Sequence, residues 1–138
     1  MSETRTSPHE VLHPKNWKAA QGFANGIAAE GRLVFLAGQI GWNAEQQFES
    51  DDFIAQTRQA LSNIVALVQE AGGNVEHIVR LTWFVTSKQE YLSRLRELGQ
   101  AYRAVLGRHF PAMTLVQVVA LVEDRAKVEI EATAVIPK

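Results

Sequence analysis

"HIVRLTWFVTSKQEYLSRLRELGQAYRAVLG" (residues 77–107) contains the change of period that decides the fold. Residues 77–87 are rich in β-branched and aromatic side chains and predict a central strand. Ser87 and Glu90 have the three-residue spacing of a capping box, in which a hydroxyl and a carboxyl satisfy the open N–H groups of a helix start. Tyr91, Leu95, Leu98, Tyr102 and Val105 then recur every three or four residues, the buried stripe of a helix that Gly107 stops. A strand leading directly into an amphipathic helix sets a sheet and a helix side by side.

The pattern extends on both sides. Upstream, the Ser50-Asp51-Asp52 cluster predicts a helix start with a serine cap and early carboxylates at the positive end of the dipole. Ile54, Leu61, Ile64, Val65 and Val68 form its apolar stripe, and Gly72-Gly73 closes it. Two short apolar runs flank "AEG" at 29–31, predicting a hairpin with strands near 23–28 and 32–38. Downstream, "TLVQVVAL" (114–121) and "KVEIEATAVI" (127–136) read as the last strands, joined by the polar turn "VEDRA". In the second, Val128, Ile130, Ala132 and Ala134 share one face, and Glu129, Glu131 and Thr133 share the other. The order β-β-α-β-α-β-β, with two helices on one face of a mixed sheet, is an α+β two-layer sandwich. The second faces of these strands are not strongly polar, so self-association is expected.

The 138 residues suggest a single domain, 1–138, with polar residues 1–16, containing Pro8 and Pro14, as a mobile or draped arm. Net charge is −1 and the Lys and Arg residues are scattered, which disfavours nucleic acid or an anionic membrane as partner. Cysteine is absent, removing disulfides, thiol nucleophiles and zinc–thiolate sites together. The N-terminus lacks the apolar run of a signal peptide and no segment approaches a membrane span, so a cytoplasmic location is expected.

The candidate chemistry is sparse. His9, His13, His77 and His109 have no metal-ligand spacing, so no metal site is expected; only His109, beside the "FPAM" loop, is kept as a site candidate. No GxSxG, P-loop or GxGxxG run occurs. Glu129 and Glu131 read blandly as an exposed strand face and functionally as a general acid or base beside a pocket. Gln39, after Gly38 at a strand end, is either a turn residue or a ligand contact. Trp17 and Phe23 are core, interface or pocket-wall aromatics, and Met113 by itself is a gap-filling core residue.

Taken together, "LVFLAGQIG", "AQTRQALSNIVALVQEAGG", "IVRLTWFVTS" and "VEIEATAV", in this order and spacing, resemble the RidA (YjgF-like) family over residues 22–136. The resemblance implies a chorismate-mutase-like fold and a homotrimer with small-molecule pockets between subunits. It also implies cofactor-free hydrolysis of reactive enamines and imines, such as 2-iminobutanoate and 2-iminopropanoate, to 2-oxo acids and ammonia. The family glutamate that positions or activates water corresponds to Glu129 in "EIEA", and the family Gly-Gln pair to Gly38-Gln39. Trp17 or Phe23 fills the place of the N-terminal aromatic wall.

Two departures stand out against that pattern. Where the family reads Pro-Ala-Arg, this chain has Pro111-Ala112-Met113, so the guanidinium that clamps the substrate carboxylate is missing. The family's helix asparagine falls on Gly99 if Tyr102 is the tyrosine three residues on. Unless Arg108 or Arg125 swings in, a 2-imino acid therefore binds poorly. The readings that follow are a deaminase of a substrate with an apolar or neutral recognised group, and a non-catalytic trimer that binds a small molecule or a partner. A ribonuclease reading is disfavoured by the lack of a basic patch and of a catalytic histidine pair.

Overall fold

A computed structural model describes residues 8–138. β1 (Glu10–Leu12) and β2 (Gly26–Ala28) form a small antiparallel ribbon. There follow β3 (Arg32–Ile40), α1 (Phe53–Glu70), a 3-10 turn (Val75–His77), β4 (Ile78–Val85), α2 (Lys88–Ser93), α3 (Leu95–Leu106), β5 (Ala112–Gln117) and β6 (Val128–Ile136). The main sheet runs β3-β6-β4-β5, with β6 antiparallel to both neighbours. β4 and β5 are parallel and are connected through α2 and α3, since a parallel pair needs a long crossover. Leu61, Ile64 and Val68 of α1 and Ile78, Leu81, Val85, Val128 and Ile130 of the sheet are fully buried in one core. Burying each such side chain contributes about 1.5–3 kcal/mol. The expected two-layer α+β arrangement is present.

Several local expectations are corrected. The strand at 26–28 pairs with β1 and not with β3, so the hairpin about residues 29–31 does not form. Gly31, at φ 151°, brings the chain against the end of β6, where a Cβ would lie 2.2 Å from the Ile136 carbonyl oxygen. The partner of β2 comes from the expected arm, which is draped from residue 9 onward: His9 Nε2 lies 2.8 Å from the Val135 carbonyl oxygen. Residues 1–7 of that arm lie outside the described residues.

The first long helix is capped by Asp52, whose Oδ2 accepts from Ala55 N–H at 3.0 Å, while Ser50 Oγ accepts from Asp52 N–H one turn earlier. The carboxylate reaches the third residue on, as an N-cap must. Gly72, at φ 91°, and the Gly73 N–H bonded to the Val68 carbonyl at 2.9 Å end it as expected. The second helix is broken at Arg94 (φ −129°, ψ 31°), whose guanidinium is held by Asp52 at 2.7 Å and Glu97 at 2.8 Å. β5 starts earlier and ends sooner than its apolar run suggests, because it pairs with Arg80–Val85 and its partner stops there. Val119 therefore lies in an exposed loop and not on a strand face.

Candidate functional site

Sheet register divides the predicted site residues into two groups. On the helix-facing side, Met113 pairs with Leu81 and Leu115 with Trp83. On the opposite side, Glu129 pairs with Phe84, Glu131 with Thr82 and Val116 with Phe84. Met113 and Glu129 thus point to opposite faces of one sheet.

Glu129 is placed by an irregularity in β3. Leu36 pairs with Ala132 and Gln39 with Ile130, so Ala37 and Gly38 together oppose Glu131. Gly38 permits this local approach: a Cβ there would lie 2.0 Å from Glu129 Oε2. The half-buried carboxylate accepts no hydrogen bond and makes no ion pair among the described residues. Glu129 and Gly38 are therefore brought together, although they lie far apart in the chain. Gln39 turns its amide back on the bulge, donating to the Ala37 carbonyl at 3.0 Å, which is the turn reading of this residue.

Met113 lies in a second environment, a cavity of about 580 Å³ between the β5 edge, α2 and α3, and residues 21–23. The N-terminal segment is held there by Ala24 N–H bonding to the Pro111 carbonyl at 3.0 Å. Phe23, Trp83, Tyr91, Phe110, Met113 and Leu115 give it an apolar and aromatic lining. Trp83 and Tyr102 stack at 6.4 Å and Tyr102 and Phe110 at 5.3 Å between ring centroids. Tyr102 donates its hydroxyl to the His109 carbonyl at 2.6 Å, and burial pushes its phenol well above the ordinary tyrosine range. His109 Nε2 lies 2.7 Å from the Ile78 carbonyl oxygen, so this histidine fixes the loop before β5.

Phe23 and Met113 thus share a cavity, whereas Trp17 is 57% exposed and lines a separate, shallower depression beside Phe23. Gly99 also lines the cavity of Met113. The cation found there is one that sequence reasoning missed. Arg103, one helical turn beyond Gly99, lines the cavity, while Arg125 is paired with Asp51 at 2.8 Å and lies over the Phe48 ring elsewhere. The i, i+4 spacing of Gly99 and Arg103 was the available signal. Among the described residues no group of His, Cys, Asp and Glu could hold a metal ion. No described helix is long and apolar enough to cross a membrane.

Comparison with known proteins agrees with this architecture. Residues 14–136 match the family model described as Endoribonuclease L-PSP. The chain is 33% identical over 126 residues to a RutC family protein of Pasteurella multocida, covering 91% of this chain and 97% of that protein. It is 36% identical over 130 residues to the 2-iminobutanoate/2-iminopropanoate deaminase of Salmonella typhimurium, covering 91% and 97% respectively. Among solved structures, the Rid-family protein YyfB of Yersinia pestis superposes with a TM-score of 0.83 at 28% identity, covering 93% of this chain and 98% of that one. From its fold, its bulged β3 with Gly38 under Glu129, and these relatives, the chain belongs to the RidA/YjgF family.

Proposed function

We propose that this protein is a cytoplasmic, cofactor-independent hydrolytic deaminase of a reactive enamine or imine, acting as a homotrimer on a substrate that is not a standard short 2-imino acid. The observation that carries this reading is the unpaired Glu129 carboxylate seated over Gly38. In that role Glu129 accepts a proton from water as the oxygen adds to the C=N carbon. The proton passes to nitrogen to give a carbinolamine, and Glu129 then moves the hydroxyl proton to nitrogen as the C–N bond breaks, so that ammonia leaves and a carbonyl product remains. A relative named as a 2-iminobutanoate/2-iminopropanoate deaminase supports the reaction class.

Met113 argues against that relative's substrates. A thioether cannot replace a guanidinium on a carboxylate, and the cation among the described lining residues, Arg103, is solvent-exposed, so that its charge alone holds a small anion weakly. Because Met113 and Glu129 face opposite sides of the sheet, one chain cannot apply both to one ligand. The trimer reading removes the difficulty: Glu129 of a second copy meets the Met113 cavity of the first.

A second reading, a non-catalytic trimer that binds a small molecule or partner, is favoured by one observation: among the described residues, no acidic or histidine side chain lines the Met113 cavity. The test is a coupled assay in which an amino-acid oxidase generates 2-iminobutanoate. The wild type is expected to be weak and Met113→Arg faster by about 100-fold, the value of a restored charged hydrogen-bond pair. A wild-type rate equal to that of the deaminase relatives would refute the missing-clamp argument. Loss of turnover of a reactive imine in Glu129→Ala supports catalysis, whereas unchanged turnover leaves only the binding reading.

A further inference from the structure

We propose that the Met113 cavity binds an aromatic monocarboxylate, with its ring among Phe23, Trp83, Phe110 and Met113 and its carboxylate on Arg103. This deepens the preceding reading by naming a substrate class, and it rests on that reading only for taking the cavity as the substrate end of the site.

The chemistry of the lining is one-sided. A volume of about 580 Å³ suits a ligand larger than a four-carbon imino acid. Its apolar and aromatic walls favour a flat apolar body, and Met113 supplies a soft, adaptable contact to a ring. Among the described residues, Arg103 is the only charged one in the lining and no carboxylate opposes it. It makes no ion pair or hydrogen bond among the described residues, whereas Arg94, farther up the same helical segment, is held by Asp52 and Glu97.

One further feature points the same way. Gly99 leaves the space that the guanidinium occupies, since a Cβ at that position would lie 3.2 Å from Arg103 Nη1. A cavity lined by an unpaired guanidinium, with no acid among the described lining residues, favours an anion over an amine. Arg103 is exposed, so the charge alone holds a small carboxylate weakly. Burial of a ring provides the remainder, so size and charge are both required.

Calorimetric titration of the full-length protein with phenylacetate, phenylacetamide and 2-oxobutanoate tests this. Phenylacetate is expected to bind at least about tenfold more tightly than either of the others. Arg103→Gln is expected to remove the preference for phenylacetate over phenylacetamide without weakening the amide, and Arg103→Lys to restore part of it. Equal affinity for acid and amide in the wild type, a preference retained in Arg103→Gln, or no saturation by phenylacetate up to about 10 mM would each overturn the proposal. These readouts need no turnover, so failure of the deaminase reading and failure of this one are separately visible.

Discussion

Gly38 shows how much one missing side chain can decide. Its place in the β3 bulge is filled by the Glu129 carboxylate, and the nearest atoms to a Cβ there would be Oε2 at 2.0 Å and Cδ at 2.8 Å. Gly38→Ala is therefore expected to displace the flexible end of Glu129 and not the backbone. The expected result is a change in unfolding free energy below about 1 kcal/mol with a large loss of any Glu129-dependent turnover. Thermal melts and the imine assay, run on the same preparation, check this. A variant that retains turnover would show that the contact has no part in the chemistry. At the same scale, Met113 looks like core by composition and does pack against the core cluster. Only its family position made it informative, and only the register showed which cavity it enters.

Elements are tied together by a few buried or networked polar groups. Gln56 of α1 is fully buried and ties together the loops before α1 and before β6: its amide donates to the carbonyls of Ser50 at 3.1 Å and Arg125 at 3.0 Å and accepts from Lys127 N–H at 2.8 Å. Gln56→Leu leaves these backbone groups unpaired and is expected to destabilise the fold by about 3 kcal/mol, read by denaturant unfolding. A loss below half of that would mean that the loop before β6 re-pairs elsewhere.

The α2–α3 junction depends on exposed charges and responds to pH. The Arg94 guanidinium holds the carboxyls of Asp52 and Glu97 below their ordinary values. A folded-state value below the unfolded one adds stability that is complete above the unfolded value and disappears as pH falls through the folded one. The advantage of wild type over Arg94→Met in melting temperature is therefore expected near neutral pH and lost between about pH 5 and pH 2. Equal melting temperatures at neutral pH would show that the network contributes nothing.

At the scale of the whole molecule, the described residues leave one sheet face partly uncovered. Leu33 is 58% exposed and Phe35 74%, and Val116 lies exposed on the same side as Phe84 and Glu129. Apolar side chains gathered beside a carboxylate are what an interface between copies would bury. In the proposed trimer the wild type runs at three times the 15.3 kDa chain mass in light scattering, and Phe35→Glu falls to a single chain with its fold intact. A wild type that stays monomeric at micromolar concentration would remove both the trimer and the shared site. A trimer of the proposed kind would let Glu129 and Met113, on opposite faces, belong to one chemistry.

Period and punctuation in the sequence determined most of the elements. The stripe of α1, the Ser87 cap, the closing glycines at 72 and 107, and the alternation of β6 are local patterns that a chain cannot satisfy without forming those elements. The order of motifs determined the family. Tertiary structure alone decided which elements became neighbours: β1 with β2 in place of a hairpin at 29–31, β6 between β3 and β4, and the break at Arg94 set by a carboxylate from α1. It also decided that Glu129 lies over Gly38, and that Arg103, not Arg108 or Arg125, reaches the Met113 cavity. The physical reason is range. Burial of a stripe and capping of a helix end are fixed within a few residues, whereas register, bulges and shared cavities are fixed by partners far away in the chain, on which a local pattern carries no information.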